Sequence, residues 1–284
     1  MKKRRTVVLK AFLSRCSPEK AASLEPFLPE EERYLLSQLP SFAFTEEKPH
    51  GRLLEEVHWS WFLPTLKSYS KKEQIFFLDS LSEFPQQNLS HELNLSPPTE
   101  PITETARTFL RQILLYSLIG PDEQMIPKDY LPPSSLNALL LCEKKELIHL
   151  IDLLSLFDLA HEMRQIVDTK ILKKIYSFLT EEEKKFLIAI TAHKEPYPVP
   201  RIGLEKWDGT EGSFRHLLHR RGLARLGAAL SGQDPDLVWY ICHQLDIGRG
   251  TTLYKYSAKE VMPGISEWVI RQIEDLFSKE GQQS

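Results

Sequence analysis

Over residues 213–277, apolar residues recur at the spacing of one helix face, and helix start and stop signals separate the runs. The first run ends at Gly232, which is typical of a helix C-terminus. Asp234 followed by Pro235 predicts the next N-terminus, because Asp accepts hydrogen bonds there and proline lacks only an N–H that has no helical partner. Ser257 and Glu260 have the spacing of a capping box and predict a third, long helix. The stretch therefore predicts a compact group of helices.

The same signals occur along the rest of the chain. Capping boxes at Ser70 and Thr180 precede further apolar runs. Residues 84–102 hold four prolines, and residues 194–212 hold three prolines and three glycines, so both predict linkers. We therefore predict an all-α fold of two or three helical subdomains, similar to an armadillo-like helical array and joined by proline-rich linkers. The predicted divisions are an N-terminal helical domain at 1–83, a linker at 84–102, a middle helical domain at 103–193, a linker at 194–212 and a C-terminal helical domain at 213–284.

Charge and cysteine content favour a cytoplasmic protein that does not bind nucleic acid. The 284 residues carry a net charge of −3, whereas a nucleic-acid binder usually has a basic domain. Three widely separated cysteines form no disulfide framework. The basic N-terminus opens like a signal peptide, but Lys10 and Arg15 interrupt its apolar run. The most apolar stretch, residues 147–160, contains charged residues and predicts a buried helix.

No pattern in the sequence predicts catalysis. His216 and His219 lie three residues apart, which suits a metal pair, but no third ligand follows at a suitable spacing. Cys242 and His243 are neighbours on a helix, so their side chains diverge and Cys242 is expected to be a small buried residue. The pair His161–Glu162 is expected on a solvated helix face. We therefore predict no enzyme activity, no metal and no cofactor.

Arginines are concentrated at the start of the C-terminal helical stretch. Arg221 and Arg225 share a helix face, since they are four residues apart. A solvated face, an acidic protein partner, and nucleic acid or anionic lipid are the alternatives. Arginine makes bidentate contacts to carboxylates, so we expect a surface that docks an acidic partner. The candidate residues are Arg215, Arg220, Arg221 and Arg225.

A second candidate surface is rich in aromatic residues. Trp59, Trp61 and Phe62 lie within four residues, and successive helical residues diverge by about 100°. They cannot all face one core from a single helix. At least one of them is expected to pack against another element or to contact a partner protein.

Two stretches resemble the family of the flagellar motor-switch protein FliG. The first is Leu226-x-x-Ala229-Leu230-x-Gly232, followed by Leu237, Ile241 and Leu245; in that family a similar A-L-x-G turn separates helices of the rotor's helical domains. The second comprises residues 13–22 (LSRCSPEKAA) and 27–31 (FLPEE), which are similar to short helices of the family. The resemblance implies that residues 213–284 form a FliG-like helical domain.

The resemblance also implies a function. It predicts a structural scaffold or adaptor in a cytoplasmic ring or sorting platform of a type III secretion or flagellar-type export apparatus. Its partners would be other proteins of that membrane-associated secretion or motor complex, without nucleic acid and with at most peripheral membrane contact at the inner-membrane face. A homo-oligomer is compatible with this role. A helical secretion chaperone or regulatory client-binding protein is the alternative.

The sequence departs from the family at the helix that bears torque. Residues 246–256 contain Arg249 and Lys255 but no acidic pair after Asp246. The glutamate–histidine–proline–glutamine signature of the family's middle domain is absent from the sequence. A non-rotating secretion platform is therefore favoured over a motor switch.

Overall fold

A computed structural model describes residues 16–38, 49–96, 101–120, 125–191, 196–197, 202–204, 207–262 and 264–280, together with residues 6, 9, 10 and 13. All regular secondary structure in these described residues is helical, so the predicted all-α fold is confirmed. The α-helices are α1 (Pro18–Leu24), α2 (Glu30–Gln38), α3 (Pro49–Glu56), α4 (Leu63–Lys67), α5 (Lys71–Asp79), α6 (Glu83–Leu93), α7 (Glu104–Ile119), α8 (Lys144–Met163), α9 (Thr169–Phe178), α10 (Glu181–Thr191), α11 (Glu211–Leu230), α12 (Pro235–Gln244), α13 (Ile247–Ser257) and α14 (Ile265–Glu280). Short 3₁₀ helices lie over Glu25–Phe27, Trp59–Phe62, Lys128–Tyr130 and Ser135–Leu141.

The chain forms two compact units, and each unit is built from two separate stretches of the sequence. Unit 1 comprises Met1–Ser134 and Asp234–Ile247, whereas unit 2 comprises Ser135–Gln233 and Gly248–Ser284. Helix α12 therefore belongs to unit 1, although α11 before it and nearly all of α13 after it belong to unit 2. The predicted boundaries at 84–102 and 194–212 are not the points at which the chain passes from one unit to the other.

Unit 1 is built on helices α3 to α7. Helix α7 packs against α3 and α5, and α5 also packs against α6. Leucines from several helices are fully buried, as is the aromatic ring of Phe62; they include Leu66, Leu78, Leu89 and Leu114. Burial of such side chains is the main term that stabilises an all-helical unit.

Half of the predicted linker at 84–102 is helical. Helix α6 spans Glu83–Leu93, and Pro85 lies in its first turn, where a missing N–H leaves no helical hydrogen bond unmade. Leu89 is completely buried and anchors the helix. Asn94 ends it in the left-handed conformation, at φ 49°. The clustered prolines therefore mark a helix start as well as the segment that follows it.

Unit 2 is organised around the packing of α11 against α8. Helices α10 and α14 also pack on α8, and α14 contacts α11. Gly222 permits a close approach, because a Cβ atom there would lie 1.8 Å from the carbonyl oxygen of Ile151 on α8. Gly227 lies close to Tyr256 of α13, because a Cβ atom there would lie 2.3 Å from the tyrosine Cβ. The backbone of α11 therefore lies close to α8 at Gly222 and close to α13 at Gly227.

The predicted capping boxes have different outcomes. Ser70 with Glu73 and Thr180 with Glu183 form the reciprocal hydrogen bonds, which confirms both predictions. The prediction at Ser257 is wrong, because Ser257 ends α13 and donates to the carbonyl of Tyr254. The last helix begins only at Ile265. A capping box satisfies backbone N–H groups only at the start of a helix, and no helix starts at Ser257. A turn at Gly264, with φ 85°, comes directly before the last helix.

The second predicted linker lies partly outside the described residues. The described positions 196–197, 202–204 and 207–210 contain no α-helix, and α11 begins at Glu211. The backbone N–H groups of Ile202 and Leu204 donate to the Glu162 carboxylate of α8, which holds this part of the segment on unit 2.

Candidate functional site

The arginines of α11 lie mostly against acidic residues of unit 2. Asp158 of α8 is 1% exposed and accepts hydrogen bonds from Arg221, with its Oδ2 atom 2.8 Å from Arg221 Nε. Arg225 forms a second ion pair with Asp158, at 3.0 Å from Nε to Oδ1. Its guanidinium also lies over the Phe157 ring, 5.1 Å from the centroid. Two arginines therefore surround one buried carboxylate in the interface between α8 and α11.

Arg215 also forms an ion pair within unit 2, whereas Arg220 is exposed to solvent. Arg215 donates to the carboxylate of Glu183 and to the carbonyl of Phe178. Burial raises the pKa of Glu183, but the hydrogen bonds from Arg215 and Thr180 outweigh it, and the net pKa is lowered. Arg220 is exposed. The structure thus directs three of the four candidate arginines toward carboxylates of their own unit.

The two histidines of α11 do not lie in equivalent surroundings. His216 is exposed. His219 lies between Asp152 and Arg249, with Nδ1 2.8 Å from Asp152 Oδ1 and Nε2 2.9 Å from Arg249 Nε. Because a guanidinium only donates, Nε2 must accept and Nδ1–H must donate to Asp152. Both ring nitrogens are therefore engaged, and the imidazole is not available as a general base in this arrangement.

In unit 1, one member of the predicted aromatic cluster stacks on a histidine of α12. Trp61 and Trp239 stack on His243, with ring centroids 3.9 and 3.7 Å away. Trp61 Nε1 donates to the carbonyl of Leu245, at 2.9 Å. Burial lowers the pKa of His243 to about 4, against a smaller opposing effect of its hydrogen bond to the Trp239 carbonyl. The stack fixes α12 in unit 1.

The other two members of the cluster differ in burial. Phe62 is fully buried and therefore belongs to the core of unit 1. Trp59 is half-buried and lies 5.2 Å from the ring of His58. Of the three candidate residues, Phe62 has no surface to offer a partner, and Trp61 is largely used inside the unit.

Two further sequence-based interpretations concern reactive groups. Cys242 is 1% exposed, and burial raises the pKa of its thiol to about 12, which agrees with a small buried residue. The expectation for Glu162 is wrong, because Glu162 is 8% exposed and accepts the N–H groups of Ile202 and Leu204. A spacing pattern does not show that a distant segment needs a hydrogen-bond acceptor.

The sequence-based reasoning missed a set of exposed aromatic residues on unit 1. The aromatic set comprises Phe76 on α5, Phe84 on α6 and Phe109 and Tyr116 on α7, and these side chains are 53%, 69%, 63% and 44% exposed. Helix α5 packs against both α6 and α7. On α7, Phe109 and Tyr116 are seven residues apart and share a face, on which Gln112 donates to the Tyr116 hydroxyl at 2.7 Å. That spacing was the signal available in the sequence.

A surface groove lies on unit 2. Its volume is about 430 Å³, and its lining residues are Pro196, Tyr197, Gly264, Glu267, Trp268 and Arg271. Carboxylate and guanidinium groups both lie at this groove, so its lining carries charges of both signs.

Metal binding and membrane crossing both need features that the described residues lack. Within those ranges, no group of three or more His, Cys, Asp or Glu side chains is arranged to hold a metal ion. No described helix has the length and apolar character needed to cross a membrane.

Comparison with known proteins gives no match. No family model matches the sequence, no curated protein matches it, and no solved structure matches the fold. The similarity to the FliG family therefore remains a prediction from the residues quoted above.

Proposed function

We propose that this protein is a non-catalytic helical adaptor that docks other proteins of an assembly. The assembly predicted from the resemblance is a cytoplasmic ring or sorting platform of a type III secretion or flagellar-type export apparatus. The exposed aromatic set of unit 1 carries the proposal: Phe76, Phe84, Phe109 and Tyr116. The partner would present an apolar surface to these rings.

The physical reason is the cost of exposing large aromatic rings to water. A buried aromatic side chain removes about 150–250 Å² from water, and aromatic residues are enriched at the centres of protein interfaces. Single exposed rings are common, but the aromatic set occupies three helices that are packed together. Covering it with a partner would recover apolar burial that unit 1 does not obtain by folding alone.

The state of the reactive side chains also supports a non-catalytic role. His219 has both ring nitrogens engaged, and His243 is stacked between two tryptophans. Cys242 is buried and has a raised pKa. None of these three groups presents a free nucleophile or base to a substrate.

Site-specific photo-crosslinking in cells that express the full chain tests the proposal. A photoreactive phenylalanine analogue replaces Phe109 on α7, and a matched control replaces Tyr254 on α13 of unit 2, which is 57% exposed. We expect position 109 to capture a small, reproducible set of proteins that co-sediment as one large complex. The control position should not capture that set.

A substitution series separates the adaptor from the alternatives. Phe109→Ser combined with Tyr116→Ser should reduce recovery of the captured proteins at least about tenfold, because two interface aromatics are lost. The melting temperature should be unchanged, since both side chains are exposed. Unchanged recovery would overturn the proposal. Capture of a single soluble client in a one-to-one complex would indicate a chaperone instead.

A further inference from the structure

The groove on unit 2 has two walls. One wall is a stripe along the start of α14, whose members occupy positions i, i+3, i+4 and i+7 of one helix face: Gly264, Glu267, Trp268 and Arg271. The other wall is formed by Pro196 and Tyr197, which precede α11 in the sequence. The lining residues therefore form one continuous site within unit 2.

Gly264 allows the two walls to meet. Its backbone has a φ of 85°, in the left-handed region that glycine adopts without strain. A Cβ atom at this position would overlap with the hydroxyl group of Tyr197. The Tyr197 hydroxyl therefore lies against the chain just before α14, at the groove.

Two opposite charges line the groove without neutralising each other. Glu267 and Arg271 are four residues apart on α14, a spacing at which an acid and a base can pair on a helix. Both side chains are exposed, and neither forms an ion pair with any described residue. The Tyr197 hydroxyl likewise forms no hydrogen bond with the described part of the chain. Three polar groups at one groove therefore retain bonding capacity for a ligand.

Aromatic rings supply the apolar part of the groove. Trp268 lies next to Glu267 on α14, and Tyr197 lies on the other wall; both side chains are half-buried. Aromatic rings offer large apolar area to a ligand. The groove volume of about 430 Å³ is within the range of about 300–1,000 Å³ that is usual for small-molecule sites. A small ligand with an apolar body and charges of both signs fits these features.

We propose that this groove binds a free α-amino acid with an apolar side chain. The ammonium group of the ligand would pair with Glu267, and its carboxylate would accept two N–H groups of Arg271. Its side chain would cover the rings of Trp268 and Tyr197. This binding site goes beyond the adaptor role, and it uses no residue of the aromatic set on unit 1.

Other ligand classes satisfy only part of the groove. A phosphate or a nucleotide would bring negative charge to Glu267, and a simple amine would bring positive charge to Arg271. A neutral apolar molecule would displace water from both charged groups without replacing its hydrogen bonds. In a protein segment the α-amino and α-carboxyl groups are amides, so both charges would have to come from side chains. A free amino acid carries an ammonium group and a carboxylate on one carbon atom.

Calorimetric titration of the purified full chain tests the proposal. The probes are L-phenylalanine and L-leucine, and each altered probe removes one feature. The N-acetylated form lacks the ammonium group, the amide form lacks the carboxylate, and glycine lacks the side chain. We expect at least one of the two amino acids to bind with one site per chain. Each altered probe should bind at least about tenfold more weakly, because a charged group of the protein then loses its partner.

Two neutral substitutions match each charge to its ligand group. Glu267→Gln should weaken binding of the amino acid at least about tenfold, but it should not change binding of the N-acetylated form. Arg271→Gln should weaken binding of the amino acid to a similar extent, but it should not change binding of the amide form. The matched controls are Glu274→Gln on α14 and Lys255→Gln on α13, which are exposed, lie outside the groove and should leave affinity unchanged. Melting curves confirm that each variant is folded.

Three outcomes would overturn the inference. The first is a lack of saturable binding of both amino acids. The second is equal binding of an amino acid and its N-acetylated or amide form, which would show that the two charges do not recognise the ligand. Tighter binding of a blocked lysine–phenylalanine–glutamate tripeptide than of phenylalanine would assign the groove to a protein segment. Phe109→Ser with Tyr116→Ser should bind the amino acid as the wild type does, so a failure of the adaptor role is distinguishable from a failure here.

Discussion

At the scale of single residues, Asp158 decides the role of the arginines on α11. A buried carboxylate without a cation is strongly unfavourable, so a carboxylate that is 1% exposed must attract its partners inward. Arg221 and Arg225 meet this need from one helix face. They therefore contribute to the folding of unit 2, and an exposed docking role is better suited to Arg220.

Reversal of one buried arginine should destabilise unit 2 strongly. Arg225→Glu places a second carboxylate beside Asp158, and breaking a buried ion pair costs about 3–5 kcal/mol. Arg220→Glu is the matched control on the same helix, and exposed substitutions change stability by only about 0.5 kcal/mol. Chemical denaturation of both variants measures the difference. Equal free energies of unfolding for the two variants would contradict the role of the Asp158 ion pairs.

His243 should make stability depend on pH. Burial holds its pKa at about 4, compared with 6.5 for an exposed histidine. Below pH 6.5 the unfolded chain binds a proton that the folded chain does not bind, so the free energy of unfolding falls as the pH is lowered. The loss ends near pH 4, where the folded state is protonated as well, and amounts to about 3 kcal/mol.

The measurement is denaturant unfolding at several pH values between 7 and 4, which are chosen to span the two pKa values. The control is His243→Phe, which keeps a ring between Trp61 and Trp239 but does not titrate. The wild-type protein should lose stability as the pH falls from neutral, whereas His243→Phe should not show this loss. If the wild type is the more stable protein at neutral pH, the two free energies of unfolding should therefore converge. An identical pH profile for both would show that His243 does not titrate in this range.

At the scale of secondary structure, the spacing of caps predicted helix starts better than proline content did. The capping boxes at Ser70 and Thr180 were identified correctly, because a capping box is a local arrangement, but the same pattern at Ser257 falls at a helix end. Pro85 was assigned to a linker because composition does not distinguish a proline in a first turn from one in an open segment. The aromatic set was missed for another reason: whether Phe109 faces a core or solvent depends on which helices pack against α7.

The close contact of α8 and α11 should not tolerate a methyl group. Gly222→Ala would place a Cβ atom 1.8 Å from the Ile151 carbonyl oxygen, so the helices must move apart. We expect a loss of about 3 kcal/mol or more, as for an overpacked core. Gly212→Ala is the control near the start of the same helix, because nothing lies within 4 Å of its Cβ position. It should be neutral or stabilising by up to about 1 kcal/mol. Equal melting temperatures for the two variants would contradict this close packing.

At the scale of the whole molecule, the order of helices in the sequence does not give the units. The helical pattern over residues 213–277 predicted three helices in one C-terminal domain, whereas the structure has four helices there, α11 to α14. However, α12 belongs to unit 1, where the rings of Trp61 and Trp239 enclose His243. Contacts between residues almost 190 positions apart, such as the N–H of Ile247 to the Ser60 hydroxyl, determine this assignment. Local spacing carries no information about pairs so distant in sequence.

Fragments of the chain test this organisation. Residues 213–284 lack α8, so Arg221 and Arg225 lose Asp158, and Gly222 loses the surface on which it packs. We expect this fragment to show little cooperative melting by circular dichroism, because most helical stability comes from tertiary packing. Residues 135–284 contain all of unit 2 and are the matched fragment. They should melt cooperatively even though residues 234–247 then lack their unit 1 partners, since the packing of α11 against α8 is kept. If residues 213–284 melted cooperatively on their own, with the helicity that they have in the whole chain, the result would contradict this organisation. It would instead support the C-terminal domain predicted from the sequence.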